Sequence, residues 1–210
     1  LKSNKEVKEM RLFANAGQLI KCSDCTEFFD AMRKLVKRMR PDITMFIYDD
    51  SKALRSPIVD ISKERPLADF VEFLKPLSAN SKYLVLDEFY PKAGTLAGVS
   101  LSMYKRLLRK QSLDDLRTPY KAFTDAYSSY FKRLDQLPSR IPNLIRHNTS
   151  GPLCADGEGS CWWYNRKNLH SYYTDHSHFT TDGLELQRES YTRILEDLIG
   201  RIKKSNLTRT

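Results

Sequence analysis

The sequence predicts an α/β fold: a three-layer sandwich with a parallel sheet flanked by helices. Two observations lead there. The runs ITMFIY (residues 43–48) and KYLVLDEFYP (residues 82–91) are continuously apolar at their centres and rich in β-branched and aromatic residues, as strands buried on both faces are. These runs alternate with stretches whose apolar residues recur at helical spacing, and that alternation is the order of a parallel sheet with crossover helices.

Element by element, VKEMRLFANAG (residues 7–17) reads as a short strand closing on a glycine turn. Asp24 and Glu27 have the spacing of a capping box, and the helix they open carries Phe28, Phe29, Met32, Leu35, Val36 and Met39 on one face until Pro41 stops it. ITMFIY then ends in the polar turn Asp49-Asp50-Ser51. ADFVEFLKPL (68–77) is a short helix, and KYLVLDEFYP is a second strand that stops at Pro91. Beyond a glycine-containing loop, residues 104–116 and 120–134 have helical spacing, and IPNLIRHN (141–148) is a third, shorter strand. A loop from Thr149 to the region of Ser171 holds Cys154, Cys161 and the cluster Trp162-Trp163-Tyr164. The final helix starts near Asp182, capped with Glu185, and puts Leu184, Tyr191, Leu195, Leu198 and Ile202 on one stripe.

No internal repeat interrupts this order, and 210 residues with 40% apolar composition suit one domain spanning 1–210. With 35 basic against 26 acidic residues, the chain carries +9 and favours anionic partners in general. Its cations lie in helical stretches such as MRKLVKRMR and YKRLLRK, where they form solvated faces, and no aromatic-interleaved motif accompanies them, so nucleic acid is not an expected partner. No apolar run is long enough to cross a bilayer, and LKSNKEVKEM lacks the apolar segment of a signal peptide. A start at Leu1 rather than methionine suggests a chain processed or cut from a longer polypeptide.

Cys22 with Cys25 and Cys154 with Cys161 are close pairs that suit two local disulfides in an oxidising compartment. The first pair, at a helix start, also has the spacing of a thioredoxin-like redox motif, and unlinked thiols are a third reading. Glycosylation sequons at Asn148 and Asn206 point the same way, to a lumenal or extracellular setting.

The chemistry concentrates in YTDHSHFTTDGLELQ (residues 173–187), which lies where loops gather beyond the carboxyl ends of the strands. Asp175 stands three residues before His178 in a stretch that is not yet helical, so a bend can bring the carboxylate to one imidazole nitrogen and leave the other free. That is a base with its orienter. The competing reading has Asp175 capping a turn and His178 packing at the helix entrance. His170, His176 and His178 with Asp175 also resemble a metal shell, but no further ligand stands at a diagnostic spacing, so neither metal nor other cofactor is expected. Trp162 and Trp163 either stack on a sugar ring or pack beside the disulfide loop.

The block D-H-S-H-F-T-T-D-G resembles the last block of the SGNH hydrolases, and CWWYNRKNLHSYYTDHSHFTTDGLELQRESY resembles the end of the SGNH domain attached to membrane O-acyltransferases of animals, notably nematodes. The resemblance implies an SGNH/flavodoxin-like sheet whose first strand lies upstream of Leu1. It implies acyl transfer or ester hydrolysis between an acyl donor and a hydroxyl acceptor, with His178 as general base, Asp175 as its orienter and Gly17 matching the oxyanion glycine. It further implies a lumenal or extracellular domain attached to the membrane through upstream segments. The chain departs from the pattern in two places. The family's oxyanion asparagine is replaced by the turn Asp49-Asp50, and no Gly-Asp-Ser or Gly-Asn-Ser occurs. The nucleophilic serine is therefore expected upstream, with Ser51 as the substitute inside the chain. The alternative is a non-catalytic binding module that has lost its nucleophile.

Overall fold

A computed structural model describes residues 26–48, 52–94, 98–154 and 159–207. Helix α1 (Thr26–Met39) presents Phe29, Met32 and Val36 to the core. It ends at Arg40, whose φ of 45° is a left-handed cap ahead of Pro41. Strand β1 (Ile43–Phe46) follows, and then α2 (Lys52–Arg55), a 3-10 turn capped by Asp60, and α3 (Arg65–Ser78), which has proline in its first turn. Strand β2 (Tyr83–Asp87) leads through α4 (Val99–Leu108), β3 (Arg117–Pro119), α5 (Tyr120–Ala126), α6 (Ser128–Leu134) and α7 (Leu137–Arg140) to β4 (Leu144–His147). Strand β5 (Ser160–Trp162) and the long α8 (Thr181–Leu207) complete the order.

The main sheet is parallel in the order β1-β2-β4, with Phe46 opposite Leu86 and Asp87 opposite His147. Because side chains alternate along a strand, Leu84 and Leu86 point to one face, where they join Phe70, Leu74, Leu77, Tyr130, Leu134 and Leu144 in the main core. Arg133 is fully buried behind that core, where it donates to Glu64 and to the carbonyls of Leu54 and Ser56. Asp87 and His147 point to the other face, where α8 bonds to both through Tyr191 and Ser190. The parallel sheet between helices is thus as the sequence predicted.

Several expectations need correction. Only Phe46 of β1 is buried, so among the described residues this strand is half-covered, whereas β2 is covered on both faces. Helix α4 begins at Val99, after Gly98 at φ 84°, and ends at Leu108, not at residues 104–116. Its outward Leu101, Tyr104, Leu107 and Leu108 are exposed and mimic a core stripe in the sequence. The helix expected over 120–134 is broken at Tyr127 into α5 and α6. A two-stranded antiparallel ribbon of β3 and β5 was not foreseen, because three-residue strands carry no periodicity. Helix α8 starts one residue early, with the Thr180 hydroxyl accepting from Gly183 N–H, so the cap is Thr180 and not Asp182. Leu184 is 59% exposed, and the buried side of α8 includes Gly183, Gln187, Leu195 and Leu198. The strand expected over 7–17, and Asp24 of the capping box, lie outside the described residues. No helix among the described residues is long and apolar enough to cross a membrane.

Candidate functional site

The loop between β5 and α8 is a folded platform. Tyr173 and Phe179 form an antiparallel bridge, and Thr174 N–H donates to the His178 carbonyl at 2.8 Å, so residues 174–178 make a tight closed bend. Tyr173 is fully buried, with its hydroxyl donating to the Pro91 carbonyl at 2.6 Å. Phe179 stacks on Tyr90 at 4.5 Å, and the Tyr90 hydroxyl donates to the Ser177 carbonyl. Ala93 N–H donates to the His176 carbonyl at 2.8 Å. The segment after β2 therefore carries the bend, which puts it just beyond the carboxyl end of the central strand. Gly183 makes the junction with α8 possible: a Cβ there would collide with the Tyr172 carbonyl oxygen and stand 2.9 Å from Phe179 Cδ1.

Inside the bend, Asp175 Oδ1 accepts from the N–H groups of Ser177 and His178 at 2.7 and 2.8 Å. Asp175 Oδ2 lies 2.6 Å from His178 Nδ1. One carboxylate therefore both caps the turn and holds the ring, while the His178 ring, 79% exposed, does not pack at the helix entrance as the competing reading had it. The His178 N–H bond, the bond to its ring and the Ser177 N–H bond, in that order, hold the Asp175 carboxyl well below the usual carboxylate range. An ionised carboxylate only accepts, so Nδ1 carries the proton, and in the neutral ring Nε2 keeps its lone pair. The His178 side chain is 79% exposed and that of Asp175 43%, and Nε2 has no partner among the described residues. The pair can accept a proton from a hydroxyl brought to it.

The other candidate residues do not join this pair. His170 Nδ1 stands 3.1 Å from Asp182 outside the bend, and His176 is exposed within it, so the three histidines are not gathered on one site. No group of three or more potential metal ligands occurs among the described residues. Cys154 and Cys161 are bonded to each other. Trp162 and Trp163 are buried in the second core with Tyr164 and Tyr173, which fits packing rather than an open stacking surface. Asn148 is exposed, with Oδ1 accepting from Ser150 and Gly151, and Asn206 is exposed near the end of α8. Gly17, Cys22, Cys25 and Ser51 lie outside the described residues.

Sequence reasoning missed a second polar chain, which runs from Asp87 through His147 to Ser190. A charged or polar residue at the end of each apolar strand was visible, but pairing Asp87 with His147 depends on strand register, which one sequence does not supply.

No protein-family model matches the sequence, and no curated protein matches it. Among solved structures, the chain is similar to the periplasmic domain of a lipopolysaccharide acetyltransferase from Salmonella ser. Paratyphi A, with a TM-score of 0.54 and 16% identity. The match covers 79% of this chain and 61% of that one. At this identity the likeness is one of fold, and the chain spans less than two thirds of the acetyltransferase domain's length.

Proposed function

We propose that this chain belongs to an SGNH-type domain that transfers or hydrolyses O-acyl groups in a lumenal or extracellular compartment of a membrane-attached protein. His178 is the general base, Asp175 its orienter, and a serine outside the described residues the nucleophile. The observation that carries the reading is the bend itself: Nδ1 is fixed on a carboxylate at 2.6 Å while Nε2 faces outward at the end of the sheet. The fold shared with an acetyltransferase domain supports it, as does the disulfide, which suits an oxidising compartment. In the reaction, the serine oxygen attacks the acyl carbonyl as its proton passes to Nε2, and Asp175 stabilises the resulting imidazolium. The proton then goes to the departing alcohol, and the acceptor hydroxyl repeats the sequence in reverse.

The test is labelling of the full-length protein with a fluorophosphonate, read residue by residue by mass spectrometry. The proposal expects a labelled serine, upstream of Leu1 or at Ser51, whose labelling falls at least a hundredfold on His178→Ala. Absence of any His178-dependent label would replace the enzyme with a binding module.

A further inference from the structure

Asp87 and His147 are register partners on neighbouring parallel strands, so their side chains stand side by side on the sheet face that α8 covers. His147 Nδ1 lies 2.9 Å from Asp87 Oδ1, and His147 Nε2 lies 2.8 Å from Ser190 Oγ. The Tyr191 hydroxyl donates to the second Asp87 oxygen, Oδ2. Burial and the Asp87 charge push the Tyr191 hydroxyl up, so it stays protonated and remains a donor. The proton directions follow. With the carboxylate accepting at both oxygens, His147 Nδ1 donates to it, and Nε2 of the neutral ring accepts from the Ser190 hydroxyl.

This is a hydroxyl–imidazole–carboxylate chain in the order of a serine nucleophile, its base and its orienter. His147 and Asp87 are 2% and 5% exposed, while Ser190 is only partly buried at the end of the chain. The chain shares no residue with the Asp175–His178 bend. If it served only to dock α8, its hydroxyl would be as inert as any other serine on the helix.

We infer that Ser190 is an acyl-accepting site for small activated esters. Ser190 Oγ forms the new bond to the acyl carbon as its proton passes to His147 Nε2. Asp87 faces the imidazolium, the ester C–O bond breaks, and the alcohol leaves with the proton from Nε2. Ser190 sits inside α8, where backbone N–H groups are spent on carbonyls one turn back. It therefore lacks the free backbone donors that a serine on a sharp turn offers an oxyanion, and losing one such donor costs about 10²–10³ in rate. Acylation is correspondingly slow and the ester persists, so the site is modified once rather than turning over.

The test is incubation of the full chain with p-nitrophenyl acetate, followed by site-resolved mass spectrometry. Ser205 is the internal reference, an exposed serine on the same helix whose hydroxyl donates to the Ile202 carbonyl. Ser190 should acetylate at least tenfold faster than Ser205, His147→Gln should erase that excess, and His178→Ala should leave it intact. Equal rates at Ser190 and Ser205 in the unaltered protein would overturn the inference without recourse to any variant. Loss of the excess in His178→Ala would tie the acetyl group to the His178 site instead, and would also overturn it.

Discussion

Replacing Asp175 by asparagine isolates one of its three contacts. The amide keeps the size of the side chain, and its Oδ1 can still accept from Ser177 and His178 N–H, so the bend survives. The third contact inverts. An NH2 group now faces His178 Nδ1 where a carboxylate oxygen stood 2.6 Å away, Nδ1 must accept, and the ring proton moves to Nε2. The ring then offers a donor to the nucleophile instead of a lone pair. Charge-assisted bonds are roughly twice as strong as neutral ones. With the carboxylate 43% exposed, solvent screens most of that difference, and the expected stability loss is under about 1 kcal/mol. In a buried serine triad the same exchange costs about 10⁴ in kcat. Here the ring is 79% exposed, so water can stabilise the other tautomer, and the loss in kcat/KM should be about 10²–10³, or roughly 3–4 kcal/mol in barrier. Initial rates of acetyl-ester turnover by the full-length protein, with a urea titration of the same variant, measure both quantities. Activity within about threefold of the unaltered enzyme, a barrier change below 1 kcal/mol, would refute the orienting role. A stability loss above about 3 kcal/mol would make Asp175 chiefly a structural cap.

Three further outcomes are expected. Gly183→Ala should destabilise the protein by about 1–3 kcal/mol in urea, because the added Cβ meets the Tyr172 carbonyl and Phe179; an unchanged midpoint would contradict that packing. The Asp175 carboxyl, followed by carbon NMR, should stay ionised as pH falls through about 3.9, the ordinary carboxylate value. Since its folded-state pKa is depressed, its contribution to stability is complete above that ordinary value and is lost only as pH falls through the lower folded one; a midpoint at the ordinary value would remove the basis for the claim. Peptide mapping without reductant should recover Cys154 linked to Cys161, and replacing both by serine should cost about 2–3 kcal/mol for so short a loop; free thiols in protein from the secretory pathway would contradict the linkage.

The elements legible in the sequence were those whose local pattern and tertiary role agree. YLVL is apolar without a break because β2 is central and covered on both faces. The pairing of Asp175 with His178 was legible because the bonds that the Asp175 carboxylate makes are local, three residues or fewer apart. The reading failed where a residue's role depends on distant partners. Leu184 matches the helical stripe, yet the neighbouring Gly183 is the residue that must sit against Tyr172. Tyr104, Leu107 and Leu108 extend an apolar period into solvent and drew the expected α4 towards its C-terminal side. Asp87, His147 and Ser190 come from two strands and a helix, and only the register of the sheet brings them into line.

The most direct test of the central claim compares His178→Ala with His176→Ala in the full-length protein, by kcat/KM for an acetyl ester. The two histidines are two residues apart and both exposed, but only His178 has its ring on the Asp175 carboxylate. The account predicts a loss of several orders of magnitude for His178→Ala and less than about tenfold, roughly 1.4 kcal/mol, for His176→Ala. Equal losses in the two variants, or full activity without His178, would contradict it.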